Sequence, residues 1–220
     1  MMPGMELRVR AARRDDETAP ALLYASAAPY YDAYAGSERR ARRVLDALWA
    51  RPGHTASYEV CRVAVAADGE LLGVLAGFPL AESGLLANGF VRESLRRLAP
   101  WRWPGVWRHL RASGRLSPRP PSGAYYVDAL AVAEGARRRG VARTLLADAG
   151  RTAQARRASG VALDTGVGNA AARALYEASG FEKVEVRTTL DPATARAIGG
   201  PGFVSYFRAI DPTGSDGPPA

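Results

Sequence analysis

Apolar residues along the chain recur with two spacings, one typical of strands and the other of helices. Segments in which apolar and polar residues alternate, or in which apolar residues run on, predict strands. Seven such segments are present, at residues 6–11, 57–66, 71–79, 125–132, 161–165, 183–190 and 202–210. An Asp-Gly turn at Asp68-Gly69 joins the second and third segments and predicts a hairpin.

Apolar residues three or four positions apart predict helices between these strands. Helical segments are predicted over residues 15–27, 37–51, 91–98, 140–159 and 170–179. The tyrosine-rich stretch Tyr30–Tyr34 is predicted to be a loop, as is the segment with proline and glycine before the last strand. An early hairpin followed by strands that alternate with helices indicates a mixed α+β sheet.

Residues 82–122 interrupt this order. They combine a helical pattern, the tryptophans Trp101, Trp103 and Trp107, and a proline-rich connector at 117–121. We interpret this segment as a helical insertion within a single domain that spans residues 1–210, followed by a disordered tail at 211–220. The tryptophans either anchor the insertion to the body of the domain or form a wall of the binding site.

Composition narrows the class of protein. The chain has 220 residues, of which 47% are hydrophobic, enough for one sizeable core. It has no run of 18 apolar residues and no signal-peptide pattern, so we expect no membrane span and a cytoplasmic location. Cys61, His54 and His109 do not have the spacing of metal ligands, so no metal is expected.

The net charge of +8 makes nucleic acid a candidate partner. However, the basic residues are arginines throughout the chain, and Lys183 is the only lysine. No nucleic-acid-binding motif accompanies them, so a generally basic surface is favoured over a nucleic-acid site.

The segment ARRRGVARTLL at residues 136–146 places three arginines at the start of a predicted helix. Cations are disfavoured there by the helix dipole, by about 0.3–1 kcal/mol each. An anion is favoured at the same place, because free backbone N–H groups point outward from the first turn. Gly140 and Ala142 would allow close approach to the backbone. The segment therefore predicts a phosphate site, although it has neither the GxxxxGK[ST] nor the GxGxxG pattern.

Two motifs resemble those of the GNAT superfamily of acyl-CoA-dependent N-acyltransferases. Arg137-x-x-Gly140-x-Ala142 matches the family's Gln/Arg-x-x-Gly-x-Gly/Ala cofactor motif, directly after an apolar strand. Residues 169–181 (NAAARALYEASGF) match its Asn-x-x-A-x-x-x-Tyr-x-x-x-Gly-Phe segment. The resemblance covers residues 124–184 and implies a GNAT-like fold with a central, mixed, mostly antiparallel twisted sheet flanked by helices.

The resemblance also implies how acetyl-CoA, or another acyl-CoA, would bind as co-substrate. Backbone groups of Leu130 and Val132 would pair with the pantetheine arm. The pyrophosphate would be held by the backbone over Arg138, Arg139, Gly140, Val141, Ala142 and Arg143, and the side chains of Arg137, Arg138 and Arg139 would add positive charge. Asn169 and Ala172 would lie along the cofactor, and the hydroxyl group of Tyr176 would approach its sulfur.

Acyl transfer to an amine needs a proton acceptor, a donor to the carbonyl oxygen and a proton source for the departing thiolate. The Val132 N–H is the candidate oxyanion donor. Tyr176 is the candidate acid; otherwise it is a core aromatic residue. On a regular strand Asp128 shares a face with Tyr126, Leu130 and Val132. It is the best candidate base, and the alternative is a carboxylate held by hydrogen bonds or by an arginine.

The acceptor itself is less defined. A small-molecule or peptide amine is expected, and Tyr30, Tyr31 and Tyr34 occupy the region that shapes the acceptor site in the family. A CoA-binding sensor without turnover and a basic nucleic-acid-binding protein are the alternative functions. A homodimer would be in keeping with the family.

Overall fold

A mixed sheet forms the centre of the molecule. The computed structural model describes residues 7–210. Within them the strands are β1 Arg8–Ala11, β2 Cys61–Val65, β3 Leu71–Pro79, β4 Tyr125–Val132, β5 Gly160–Gly166, β6 Glu182–Thr188 and β7 Gly202–Ala209. Their order across the sheet is β1-β2-β3-β4-β5-β7-β6. Every pair is antiparallel except β4 and β5, which confirms the mixed, mostly antiparallel sheet.

Helices cover both faces of this sheet. They are α1 Ala19–Ser26, α2 Ala28–Ala35, α3 Glu38–Trp49, α4 Ser83–Leu95, α5 Trp103–Leu116, α6 Val141–Ala155, α7 Ala170–Glu177 and α8 Pro192–Ile198. Helices α1 to α3 pack on one face, where the core includes Leu23, Leu45 and Leu48. Helices α6 and α7 pack on the other face, with Leu145 and Tyr176 in the core.

The parallel pair β4 and β5 is joined along only part of its length. The register runs from Tyr125 opposite Val161 to Val127 opposite Leu163 and then stops. Beyond this last pair the two strands separate. Asp128 is the first residue of β4, and Asp164 the first of β5, that is not paired with the other strand, and we call the gap between them the fork. A gap in a sheet exposes unpaired backbone groups and a cleft between its two faces, so the fork is where a ligand can enter.

A β-bulge lies at this fork. Ala76 of β3 is opposite Ala129, and the next residue, Gly77, is opposite Val127, so Asp128 is the extra residue. Val127 and Leu130 therefore both pack in the α6-side core, although alternation over three residues would put them on opposite faces. The expectation that Asp128 shares a face with Leu130 and Val132 was wrong for this reason.

Two helices replace predicted loops. Residues Tyr30–Tyr34 lie within α2, which begins with Pro29 in its first turn and ends at Gly36, a left-handed residue with φ of 85°. Four aromatic or acidic residues among the five at positions 30–34 obscured the helical spacing. Helix α8 has Asp191 as its N-cap and Gly199, with φ of 75°, after its last turn. These cap residues are in the sequence and could have revealed the helix.

The segment 82–122 contains α4 and α5, in agreement with the helical pattern. Helix α5 packs against α2 and α8. The tryptophans do not anchor it: Trp101, Trp103 and Trp107 are 77%, 42% and 56% exposed. Val106 and His109 of α5 are buried instead. The predicted tail at 211–220 lies outside the described residues.

Candidate active site

A cavity of about 630 Å³ opens at the fork between β4 and β5. Its walls come from α2, α4, β4, β5, α7 and the segment between α8 and β7. Tyr30, Tyr31 and Tyr34 of α2 line it, and their place beside the acceptor stays a prediction. None of the three exposed tryptophans is among its lining residues, all of which lie within residues 7–210.

Asp128 lines this cavity on the arm of the fork that belongs to β4. Its side chain is exposed through the cavity, yet protein surrounds it closely enough that desolvation, followed by the charge of Asp164, raises its pKa to about 7. Among residues 7–210, no group forms a hydrogen bond or an ion pair with its carboxylate. The alternative of a carboxylate held by an arginine therefore has no support.

Asp164 stands on the other arm, one residue after the last paired position of β5. The hydroxyl group of Tyr126 donates a hydrogen bond to its Oδ2 at 2.9 Å. Burial raises the pKa of Asp164 to about 6, although the hydroxyls of Tyr126 and Ser205 favour the ionised form. Sequence reasoning missed this residue. The available signal was a carboxylate directly after the buried apolar run Val161–Leu163.

Tyr176 of α7 reaches the same cavity. Its ring is 6% exposed and packs against Phe181 and Tyr206. Burial, with the negative charge of Asp164 as a smaller contribution, raises the pKa of the Tyr176 phenol. The side chain is thus a core aromatic whose hydroxyl group stays protonated.

The free edge of β4 faces the fork. The N–H of Ala133 donates to the carbonyl of Leu72, so Ala133 is turned toward β3. The N–H and C=O groups of a strand residue point to one side and alternate along the strand. Val132 and Leu130 therefore direct their backbone groups into the gap left by β5, where an extended ligand can pair with them.

The loop at 137–140 leads from β4 into α6. Arg138 and Gly140 have left-handed φ angles of 64° and 84°. Within residues 7–210, no acceptor is bound by the N–H groups of positions 138–143. A turn of this kind forms a concave nest of N–H groups that binds anions.

The arginines of this loop carry positive charge that the protein does not neutralise. Arg137, Arg138 and Arg139 are exposed, and none has an ion pair among the described residues. Free N–H groups and unpaired guanidinium groups fit a pyrophosphate.

Asn169 caps α7. Its Oδ1 accepts a hydrogen bond from the N–H of Ala172 at 3.2 Å. Asn169 and Ala172 also line the cavity. The cavity is therefore continuous from Asp128 and Asp164 at the fork to the start of α7.

A model of the Acetyltransferase (GNAT) family matches residues 22–181. The chain belongs to the GNAT acetyltransferase family. The matched range includes both predicted motifs as well as Asp128 and Asp164 at the fork. The resemblance to this family was inferred from residues 124–184, and the family model extends it to residues 22–181.

Solved GNAT-type structures share the fold. One acetyltransferase has 21% identity and a TM-score of 0.65, with 93% of this chain and 100% of that chain covered. An N-acetyltransferase from Staphylococcus aureus Mu50 has 14% identity and a TM-score of 0.60, with 91% and 100% covered. Naa20 from Chaetomium thermophilum, in complex with a bisubstrate analogue, has 19% identity and a TM-score of 0.54, with 93% and 87% covered. No curated protein matches the sequence.

As a GNAT N-acetyltransferase, the protein transfers an acyl group from acyl-CoA to an amine. The hypotheses of a CoA sensor and of a nucleic-acid-binding protein are not favoured. Within residues 7–210, no three His, Cys, Asp or Glu side chains group as metal ligands. No helix in that range has the length and apolarity needed to cross a bilayer.

Proposed function

We propose that this GNAT enzyme uses acetyl-CoA and acetylates a primary amine by direct attack, without a covalent enzyme intermediate. The observation that carries the proposal is the fork between β4 and β5. One continuous cavity there is lined by Asp128, whose pKa is raised, and by the protonated phenol of Tyr176. Asn169 and Ala172, which would lie along acetyl-CoA, line the same cavity.

Acetyl-CoA supplies the acyl thioester at this site. The nest at 138–143 binds its pyrophosphate, and the backbone groups of Leu130 and Val132 pair with its pantetheine arm. The side chains of Arg137, Arg138 and Arg139 add charge to the same site. These contacts hold the thioester at the mouth of the cavity, and holding both substrates together supplies much of the acceleration.

Asp128 takes the proton of the acceptor's ammonium group. A carboxylate with a pKa of about 7 accepts a proton far better than an ordinary aspartate, because its basicity lies near the working pH. The Val132 N–H stabilises the negative charge that develops on the carbonyl oxygen. Tyr176 then gives its proton to the departing sulfur.

A thiol-release assay tests the function. The protein is incubated with acetyl-CoA and a panel of primary amines, and free thiol is measured together with the acetylated amine. We expect equal amounts of the two products. Binding of CoA, seen as a rise in melting temperature, without thiol release from any amine would contradict the proposal and favour a sensor.

We propose a cellular compartment for the enzyme from its cysteine content. A single cysteine, buried as Cys61, suits a reducing compartment such as the cytoplasm. We propose that residues 1–210 form one acyltransferase domain in which segment 82–122 closes one end of the acceptor cavity. Analytical ultracentrifugation would show whether this domain forms a homodimer.

A further inference from the structure

The acceptor cavity has an unusual charge for this protein. The chain has 30 lysine and arginine residues and a net charge of +8. Nevertheless, Asp128 and Asp164 are the only charged side chains among the described residues that line the cavity. The remaining lining is apolar or neutral, with aromatic rings from Tyr30, Phe90 and Phe203.

The two carboxylates occupy equivalent positions. Val127 and Leu163 form the last register pair of β4 and β5, and Asp128 and Asp164 are the next residue on each strand. The Tyr126 hydroxyl donates a hydrogen bond that fixes the Asp164 carboxylate, whereas the Asp128 carboxylate has no hydrogen-bond partner among residues 7–210. The fork thus carries one fixed and one free carboxylate in a cavity that is continuous with the cofactor path.

We propose that the acceptor is a small cationic amine without an anionic group, and that Asp164 selects it together with Asp128. This inference rests on the proposed acetyl transfer and narrows its acceptor. The ammonium group lies between the carboxylates, and the organic part lies against the aromatic walls, where rings attract a nearby cation. An acceptor that carries a carboxylate finds no cation among the lining residues, so its anion is desolvated without a partner.

The proton transfers balance in this arrangement. Asp128 takes one proton from the ammonium group before attack, and Asp164, as a fixed negative charge, keeps Asp128 basic. The N–C bond then forms and the C–S bond breaks. The nitrogen loses its second proton as Tyr176 gives one to the sulfur, and that second proton restores Tyr176. The products are the amide, CoA thiol and one proton, which leaves Asp128 for solvent.

Asp164 has two effects in this scheme: its charge attracts the ammonium group, and it raises the pKa of Asp128. The titratable groups around Asp128 are Tyr30 and Tyr31 of α2, Cys61 of β2, Tyr126 of β4 and Asp164 of β5. The neighbours of Asp164 are Tyr126, Ser205, Glu185 and Tyr176. Of these, Asp164 is the group whose charge raises the pKa of Asp128.

The first experiment measures acceptor binding to the enzyme saturated with CoA, so that no turnover is needed. Two matched sets are compared by calorimetry at about pH 8: phenethylamine, phenylalaninol and phenylalanine, and 1,5-diaminopentane with lysine. We expect each amine without a carboxylate to bind at least about ten-fold more tightly than its carboxylated counterpart, because an unpaired buried anion is costly. Equal or tighter binding of the carboxylated compounds, or no binding by any of the others, would overturn the inference.

The second experiment uses Asp164→Asn, with Asp46→Asn, an exposed position on α3, as the matched control. We expect the preference for amines without a carboxylate to fall by about five-fold or more. The acidic limb of kcat/KM should also move to lower pH, because the charge that raises the pKa of Asp128 is gone. A purely structural role would lower the melting temperature without changing either quantity. If Asp164→Asn does not fold, the wild-type binding ratios still decide the inference.

Failure of this inference differs from failure of the proposed function. Thiol release from a carboxylated amine at the higher rate would contradict the acceptor class and leave acetyl transfer intact. Absence of thiol release from every amine, with selective binding of the cationic ones, would contradict acetyl transfer and leave the acceptor pocket intact.

Discussion

The cavity at the fork and the loop at 137–140 are joined by one strand, β4, but they differ in charge and enclosure. The cavity is lined by two carboxylates and aromatic rings, and both carboxylates have raised pKa values because protein surrounds them. The loop is exposed, carries three unpaired arginines and presents backbone N–H groups to solvent.

This difference indicates a division of labour. Negative charge in a partly enclosed cavity alters proton affinities, which is useful for chemistry. Positive charge and N–H groups on an open loop attract an anion, which is useful for binding. Variants of the cavity should therefore change turnover, and variants of the loop should change the affinity for CoA.

Asp128→Asn should have the largest effect. The amide cannot take a proton from the acceptor, so we expect kcat to fall by about 100- to 1,000-fold, the usual range for loss of a general base. The Kd for CoA, measured by calorimetry, should stay within about two-fold of wild type, because the loop is untouched. Asp46→Asn is the control, and loss of CoA affinity in Asp128→Asn would break the proposed division.

The pH dependence of the wild-type enzyme also tests the role of Asp128 as the base. Asp128 is active when ionised, and its pKa is raised to about 7, so kcat/KM should rise as pH increases through about 7. Because the folded pKa lies above the unfolded one, ionisation disfavours the fold as pH rises from about 4 to 7. Asp128→Asn should therefore raise the melting temperature more at pH 8 than at pH 5. A limb near pH 4 would contradict the raised pKa of Asp128, and a limb near pH 7 that persists in Asp128→Asn would rule out Asp128 as the base.

Tyr176→Phe should have the next largest effect. The ring still fills its place against Phe181 and Tyr206, but the proton donor is lost, so kcat should fall by about 10- to 100-fold. Affinity for CoA should not change. Tyr125→Phe is the matched control, since Tyr125 is buried on β4 outside this cavity. Unchanged turnover in Tyr176→Phe would leave the hydroxyl with no part in the chemistry.

The loop at 137–140 could be predicted from the sequence, whereas the cavity at the fork could be predicted only in part. The nest at 138–143 lies within one short stretch, so the spacing of Arg137, Gly140 and Ala142 sufficed to predict it. The cavity brings together segments more than 100 residues apart, including Tyr30 on α2 and Asp164 on β5. Periodicity also assumes a regular strand, so it could not reveal the bulge that turns Asp128 away from Leu130.

Helix prediction succeeded or failed for a similar reason. The apolar spacing of α3 and α6 is long and regular, and both were predicted. Helices α2 and α8 have eight and seven residues, and their apolar residues show no clear helical period. Tertiary packing against α5 supports both of them instead.

Gly140→Ala should weaken CoA binding with little change in kcat. The φ angle of 84° disfavours a side chain, and no atom lies near enough to clash, so the cost is in the backbone alone. A cost of about 1 kcal/mol predicts a rise of about five-fold in the Kd for CoA. Gly135→Ala, in the turn just before this loop and without a left-handed φ angle, is the matched control and should bind normally. Equal effects of the two variants would contradict the nest.

The smallest effect is expected from replacing Arg137, Arg138 and Arg139 together by glutamine. Exposed charges contribute little individually, so we expect the Kd for CoA to rise by about two- to four-fold at low salt. Screening should reduce this difference at about 0.5 M salt, whereas the Gly140→Ala effect should persist. The control replaces Arg108, Arg111 and Arg115, three exposed arginines of α5, with the same change in net charge. If both triple variants lose affinity equally, the chain's overall charge attracts CoA and the loop arginines have no specific role; a loss confined to the loop variant assigns that role to their position beside the nest.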